Sequence, residues 1–461
     1  MWEFKMGNIN VPRYLFIANN LEADILSGEL PPGQKLMPMR HLAEKLGVTV
    51  ATVTKAYNEV EKRGMVKRHV GRGTYVLGSL RSTSKSSSKA REPQESDIID
   101  LGTIQPLRGQ DPSVKPILQR ICRDSDVDDL VSGAPPLGEW WHREIGADWL
   151  RTAGIKATAE SVIIANGQQH ALSTIISALL RPGDRMAVGQ FNTTAIPMLL
   201  HRHGMEMEPV PMDEQGLMPD RLDALCSAKK IKALYVPEYV LNPSGRGPSS
   251  ERQEEVREVI SKHGLLVFQD GSYHWANPDK KVPFAALMPK NTIYYIDIGP
   301  AVYCGLRVAF IHAPEQFYNH IAQMILENTW TVPPLTVTIA CEVITDKSIH
   351  SSIKNKLLEL KRRTAVVKEA LAEYSVNYSE DGVYAWLYLP DSWPAREFER
   401  HAEKNGVKTF AADRFVLGQT DIPNCVRISL TAPKDIETLK KGLDILVKLL
   451  KENGSLITPI W

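Results

Sequence analysis

Leu36–Val76 reads LMPMRHLAEKLGVTVATVTKAYNEVEKRGMVKRHVGRGTYV, and its punctuation decides the fold of the N-terminal part of the chain. A short helix follows Pro38, Gly47 breaks it, a second helix opens at Thr49, and two short strands hinge at Gly71-Arg72-Gly73. Leu42, Ala43 and Leu46 give the first of these helices an apolar stripe. Val53, Ala56, Tyr57 and Val60 recur at three- and four-residue steps on the second. Two such helices bury their stripes against each other. Thr49 suits the N-cap of the second helix, because its hydroxyl accepts from a backbone amide two or three residues on. Helix, turn, helix and hairpin in that order predict a winged helix-turn-helix.

Outward from this stretch, Lys62, Arg63, Lys67, Arg68 and Arg72 gather on the turn and wing, the pattern of a surface that follows a phosphate backbone. A solvated basic face on a small helical domain is the alternative. Residues 12–27, PRYLFIANNLEADILS, predict a preceding helix that closes the same core, ended by Gly28 and the Pro31-Pro32-Gly33 turn. The whole chain carries a net charge of +1. Residues 1–90 hold 14 Lys+Arg against 7 Asp+Glu, and the remainder 41 against 47. The basic excess therefore belongs to the N-terminal module, where a nucleic-acid contact needs it.

The 461 residues exceed one compact core and predict two or three domains. The five cysteines are scattered, with no CxxC and no metal-ligand spacing, which argues against a disulfide scaffold and for a reduced cytoplasmic setting. No apolar run approaches the roughly 20 residues of a membrane span, and the first residues lack a signal-peptide core. A soluble, intracellular protein without membrane contact is expected.

Residues 79–97, rich in Ser, Lys and Arg, predict a flexible linker after a DNA-binding module at 1–78. From residue 98 to 335 the chain predicts a large α/β domain. Its strands are expected at VIIA (162–165), RMAVG (185–189), IKALYVP (231–237), LLVFQD (265–270), TIYYIDI (292–298) and LRVAFIH (306–312), alternating with helices at 168–180 and 251–262. That alternation predicts a mostly parallel sheet with helices on both faces. Residues 336–461 predict a smaller α+β lobe, with helical sequence to Tyr374, strands in VYAWLYLP and CVRISLTA, and a closing helix at 436–451.

Residues 12–78 resemble the GntR-family winged helix, through the stretch ILSGELPPGQKLMPMRHLAEKLGVTVATVTKAYNEVEKRGMVKRHVGRGTYV. The resemblance implies double-stranded DNA as partner and contacts from Arg40, Thr49, Val50, Thr52, Arg72 and Gly73. The family often has an arginine where Val50 stands, so one common bidentate contact to guanine is unavailable. The rest resembles fold-type I aminotransferases, and the combination resembles the MocR subfamily. That likeness implies a pyridoxal phosphate site and a homodimer. Gly167, Gln168 and Gln169 would hold the phosphate at a helix start. Asn242 in Asn242-Pro243-Ser244-Gly245 and Tyr273 would meet the ring oxygen, and Asp270 the pyridine nitrogen. Arg307 would bind the phosphate, and Arg427 would clamp a ligand carboxylate.

One member of the set is missing. The Schiff-base lysine of such enzymes lies seven or eight residues before the arginine matched to Arg307, where this chain has Gly299 and Pro300. No lysine stands between Lys290 and Arg307, and Lys280, Lys281 and Lys290 are not placed to substitute. The family's tyrosine of Y-x-x-x-x-G aligns with Gly133. The expectation is a regulator whose inactive aminotransferase-like domain dimerises and senses an effector, an amino acid or a pyridoxal derivative. Pyridoxal phosphate is a cofactor by resemblance alone, without a covalent bond. A working transaminase with a DNA-binding head, and an empty dimerisation platform, are the competing readings.

Overall fold

The computed structural model describes residues 12–27, 30, 34–63, 65–69, 73–76, 98–107, 109–124, 127–193, 195–238, 247–276, 281–346, 348–380, 382–418 and 422–452. The chain divides into two compact units, Met1–Pro93 and Gln94–Trp461. The expected linker 79–97 lies outside the described residues.

In the first unit, α1 (Arg13–Ser27), α2 (Met39–Leu46) and α3 (Val50–Lys62) precede the hairpin of β1 (Val66–His69) and β2 (Gly73–Val76). Both α1 and α2 pack on α3. Val53, Ala56, Tyr57 and Val60 of α3 meet Ile17, Ala18, Leu21 and Ile25 of α1 and Leu42 and Ala43 of α2 in one buried core, so α3 is covered from two sides. Gly47 ends α2 in the left-handed region at φ 60°, which a side chain would strain. The Tyr57 hydroxyl donates to Met37 O at 2.7 Å, and Leu36 N donates to Thr74 O at 2.8 Å, tying the segment before α2 to both α3 and the wing.

The second unit is built on a seven-stranded sheet. Its strands are β3 (Val162–Ala165), β4 (Arg185–Gly189), β5 (Glu206–Val210), β6 (Ile231–Pro237), β7 (Leu266–Asp270), β8 (Thr292–Asp297) and β9 (Ala309–His312), in spatial order β3-β9-β8-β7-β6-β4-β5. All neighbours pair in parallel except β9, which runs antiparallel to β8 and β3. The expected strands are present. The one at 306–312 begins only at Ala309, because Cys304–Leu306 form a turn of 3₁₀ helix and Arg307 adopts φ 53°. The sequence pattern misses β5, whose EMEPV is an edge strand with a single buried residue and so lacks an apolar run.

The smaller lobe folds around an antiparallel sheet of β10 (Val376–Tyr378), β11 (Tyr384–Tyr388), β12 (Phe410–Ala411) and β13 (Cys425–Ser429), ordered β10-β11-β13-β12. Two assignments change in the folded chain. Ile99–Asp100, taken with the large domain, pairs in parallel with Val407–Lys408, and Leu101 and Leu107 lie in the smaller lobe's core. The helical sequence from 335 to 374 forms two helices. Pro334–Thr345 packs Val337, Ala340, Cys341 and Val343 into the large domain's core beside Phe310, whereas Ser348–Ala370 turns Leu360 and Val367 into the smaller lobe. A two-residue strand paired across some three hundred positions has no local signature, so periodicity could not find it.

Candidate functional site

On the first unit, the start of α3 faces solvent. Thr49 caps it, its hydroxyl accepting from Thr52 N at 3.3 Å, while Val50 is 43% exposed and Arg40 stands exposed near the start of α2. Gly73 opens β2 at φ 112°, a backbone conformation that a side chain would strain, with the flexible end of Lys35 packed against it. Arg72 lies outside the described residues. Of the expected basic surface, Arg63 is turned inward: it pairs with Glu22 and Glu59 and donates to Asn19 Oδ1 at 2.8 Å, fastening α3 to α1. Arg68 stays exposed, donating to Asn58 Oδ1 at 2.7 Å.

In the second unit, residues from four strand ends converge where the carboxyl ends of the parallel strands open, the usual ligand crevice of such sheets. Asp270, the last residue of β7, is buried and accepts from Ser272 N (2.9 Å), Ser272 Oγ (2.6 Å), Tyr235 Oη (3.3 Å) and Gln168 Nε2. Burial raises its carboxyl above the usual range, opposed by the Ser272 and Gln168 hydrogen bonds. Tyr273 stands beside it, its hydroxyl pushed up to about 12 by burial. Gly167 begins α4 (Gly167–Leu179) at φ 78°, and a Cβ there would lie 3.1 Å from the Arg307 guanidinium. The structure thus brings Gly167, Gln168, Asp270, Tyr273 and Arg307 together. Gln169 is exposed and lines no described cavity, and Asn242 lies outside the described residues.

Two cavities meet at Gln168, Tyr273 and Ile104. One, of about 270 Å³, is walled by Asp297, Gly299, Pro300, Arg307 and Lys356. The other, of about 140 Å³, runs past Asp270 over the ends of β6 and β7 to Met212, Leu217, Val256 and Phe284.

Two residues that sequence reading overlooked stand in the first cavity. Asp297, the last residue of β8, is buried; its Oδ2 accepts from Gln168 N at 2.9 Å and its Oδ1 from Gly299 N at 2.8 Å. Burial raises its carboxyl, while those two amides and the charge of Arg307 pull it down. Its position three residues before Pro300 was the available signal. Lys356, from the Ser348–Ala370 helix, is 1% exposed, donates to Ala301 O at 2.5 Å and pairs with Asp111 Oδ1 at 2.6 Å. An amine therefore does reach the loop that lacks its own lysine, but from another element, with its charge answered by a carboxylate. The same loop is tied by Tyr303, whose amide donates to Asp111 Oδ2 at 3.4 Å and whose hydroxyl donates to Pro112 O.

Arg427, on β13, departs from expectation. It is buried, donates to Gly102 O, and its guanidinium lies 4.2 Å from the Phe415 ring centroid and 4.8 Å from that of Tyr384. Burial lowers its pKa, opposed by Tyr384, Tyr273 and Asp100. It lines neither cavity. A carbonyl and aromatic faces surround the guanidinium inside the fold.

The family described as bacterial regulatory proteins, gntR family, matches residues 13–76, and aminotransferase class I and II matches residues 98–292. The chain carries a GntR-type winged helix joined to an aminotransferase class I and II domain, and its relatives are named transcriptional regulators. This chain is 28% identical over 452 residues to the uncharacterized HTH-type transcriptional regulator YdeF of Bacillus subtilis, covering 98% of this chain and 97% of that one. It is 22% identical to the vitamin B6 salvage pathway transcriptional repressor PtsJ of Salmonella typhimurium over 431 residues, covering 93% and 96%. Among solved structures, an archaeal alanine:glyoxylate aminotransferase superposes with a TM-score of 0.71 at 21% identity, covering 87% of this chain and 95% of that one. The kynurenine aminotransferase of Pyrococcus horikoshii superposes with a TM-score of 0.71 at 22% identity, covering 81% and 97%. The domain pairing is the one expected of MocR-type regulators, and the second unit has the fold of pyridoxal phosphate enzymes. No described helix is long and apolar enough to cross a membrane.

Proposed function

We propose that the protein is a cytoplasmic, homodimeric, sequence-specific DNA-binding regulator whose aminotransferase-like domain binds a small effector reversibly and performs no transamination. The observation that carries the second half is the loop from Ile298 to Arg307. It sets Arg307 against Gly167 but has Gly299-Pro300 where the chemistry needs an amine. Lys356, the amine that does approach, is engaged by Asp111 Oδ1 and Ala301 O, and both contacts would have to break before it could attack an aldehyde. Gln168, Asp270 and Tyr273 remain able to orient a ring, so recognition persists without a covalent anchor.

On the DNA side, Arg40, Thr49, Val50 and Thr52 with the Arg72-Gly73 wing supply the contacts. Exposed α3 amides favour phosphate at the helix start, and two modules in a dimer read two half-sites with a raised effective concentration. Protection mapping on the DNA upstream of the protein's own gene tests this reading. Two protected half-sites, lost in Arg40→Ala, are expected; uniform, sequence-independent protection would overturn it.

A further inference from the structure

The pocket keeps three groups that would hold a phosphate: the first amides of α4, the amides of the loop after β8, and Arg307. They are no longer vacant in the electrostatic sense. One oxygen of Asp297 takes the amide of Gln168 at the helix start, the other takes the amide of Gly299, and the carboxylate lies within the field of Arg307. Asp297 is also 4% exposed, so water screens it little. A carboxylate bonded to a helix N-terminus and a loop amide beside an arginine stands in for an anionic ligand.

We infer that Asp297 is an internal anion occupying the phosphate seat, so that the pocket does not fit pyridoxal phosphate and its effector is a molecule without a phosphate group, neutral or cationic at the ring end. Two acids, Asp270 and Asp297, face the one arginine Arg307 at this end of the pocket, while Lys356 and Asp111 pair with each other. A phosphate brought here meets two buried carboxylates and finds two of its donors taken. A ring bearing an N–H donor or a positive charge meets Asp270 instead. The other cavity adds a preference for an uncharged, ring-sized group. At its far end, Arg252 bonds Asp213 and Leu217 O, Gln253 bonds Val282 O, and Gln269 bonds the amide of Ala285, which leaves Val256, Phe284 and Leu217 to offer apolar contact. Engineered apolar cavities of about 150 Å³ hold benzene.

This inference goes beyond the absence of covalent chemistry, and the two can fail separately. The test is titration of the full-length protein with pyridoxal phosphate, with pyridoxal and with inorganic phosphate, followed by absorption or calorimetry. The wild type is expected to bind pyridoxal phosphate no more tightly than pyridoxal, and inorganic phosphate not at all. Asp297→Ser is expected to gain about tenfold or more for pyridoxal phosphate, the worth of one charge-assisted contact, with pyridoxal unchanged. Asp297→Asn, which keeps the side chain's shape, is expected to gain in the same direction. A wild type that prefers pyridoxal phosphate tenfold or more, or an absence of gain in both variants, would overturn the inference. A borohydride-trapped adduct would instead overturn the non-covalent reading.

Discussion

The two units treat their charges in opposite ways. The winged module leaves Arg40, Arg68 and the capped start of α3 facing solvent, and spends Arg63 on its own fold. The aminotransferase-like unit turns its charges inward and answers them from within: Lys356 by Asp111, Arg427 by Gly102 O and aromatic faces, Asp297 by two backbone amides. An outward charge is available to a partner and costs the fold little when removed. An inward, answered charge is part of the fold, so the residues most like catalytic groups in the second unit should behave as structural ones.

Arg427→Ala should produce the largest effect on stability, a loss of about 3 kcal/mol in urea unfolding of the second unit, since it leaves Gly102 O and an aromatic cage without their cation. Unchanged stability with lost ligand binding would return Arg427 to the ligand and break the contrast. Lys356→Met should cost about 2 kcal/mol, moderated because Asp111 keeps partial access to water. Tyr57→Phe, in the other unit, removes a buried hydroxyl bond to Met37 O and should lower that unit's stability by about 1 kcal/mol. Arg40→Ala should leave the midpoint within about 0.5 kcal/mol, yet reduce the salt dependence of DNA binding by roughly one phosphate contact. A large fall in stability there would show that the module does not hold its charges free.

Buried histidines give the contrast a pH dependence. Burial lowers both His142, bonded to Thr338 Oγ1 at 2.9 Å, and His312, bonded to Ser161 Oγ at 3.0 Å, to about 4. Their folded pKa values lie below the unfolded value of 6.5, so the unfolded chain binds more protons between these limits. The second unit should therefore keep this contribution above pH 6.5 and lose it as pH falls towards 4. His142→Gln should flatten that decline, and an equal slope in the variant would remove His142 from the account.

The same contrast explains what was legible beforehand. The winged module's information is contiguous: Gly47, Thr49 and the stripe of Val53, Ala56, Tyr57 and Val60 are read in order, and each does locally what it suggests. Exposure was less legible, because Arg63 looks like Arg68 in sequence and only the position of Glu22 on α1 separates them. In the second unit, buried strands announced themselves by apolar runs, whereas β5 and Ile99–Asp100 did not. Gly167, Asp270, Tyr273 and Arg307 could be placed through resemblance, and the missing lysine was visible as Gly299-Pro300. Lys356 could not be found this way, since its helix reaches the loop only through tertiary packing, and nothing in its neighbours marks it.

Whether the second unit is a receptor or an enzyme rests on one amine, and peptide mapping of the protein after brief incubation with pyridoxal phosphate and borohydride reads that amine directly. The account predicts an unmodified Lys356 peptide, in the wild type and in Asp297→Ser alike, even where Asp297→Ser has gained affinity. A reduced adduct on Lys356, or on any lysine of the pocket, would contradict it.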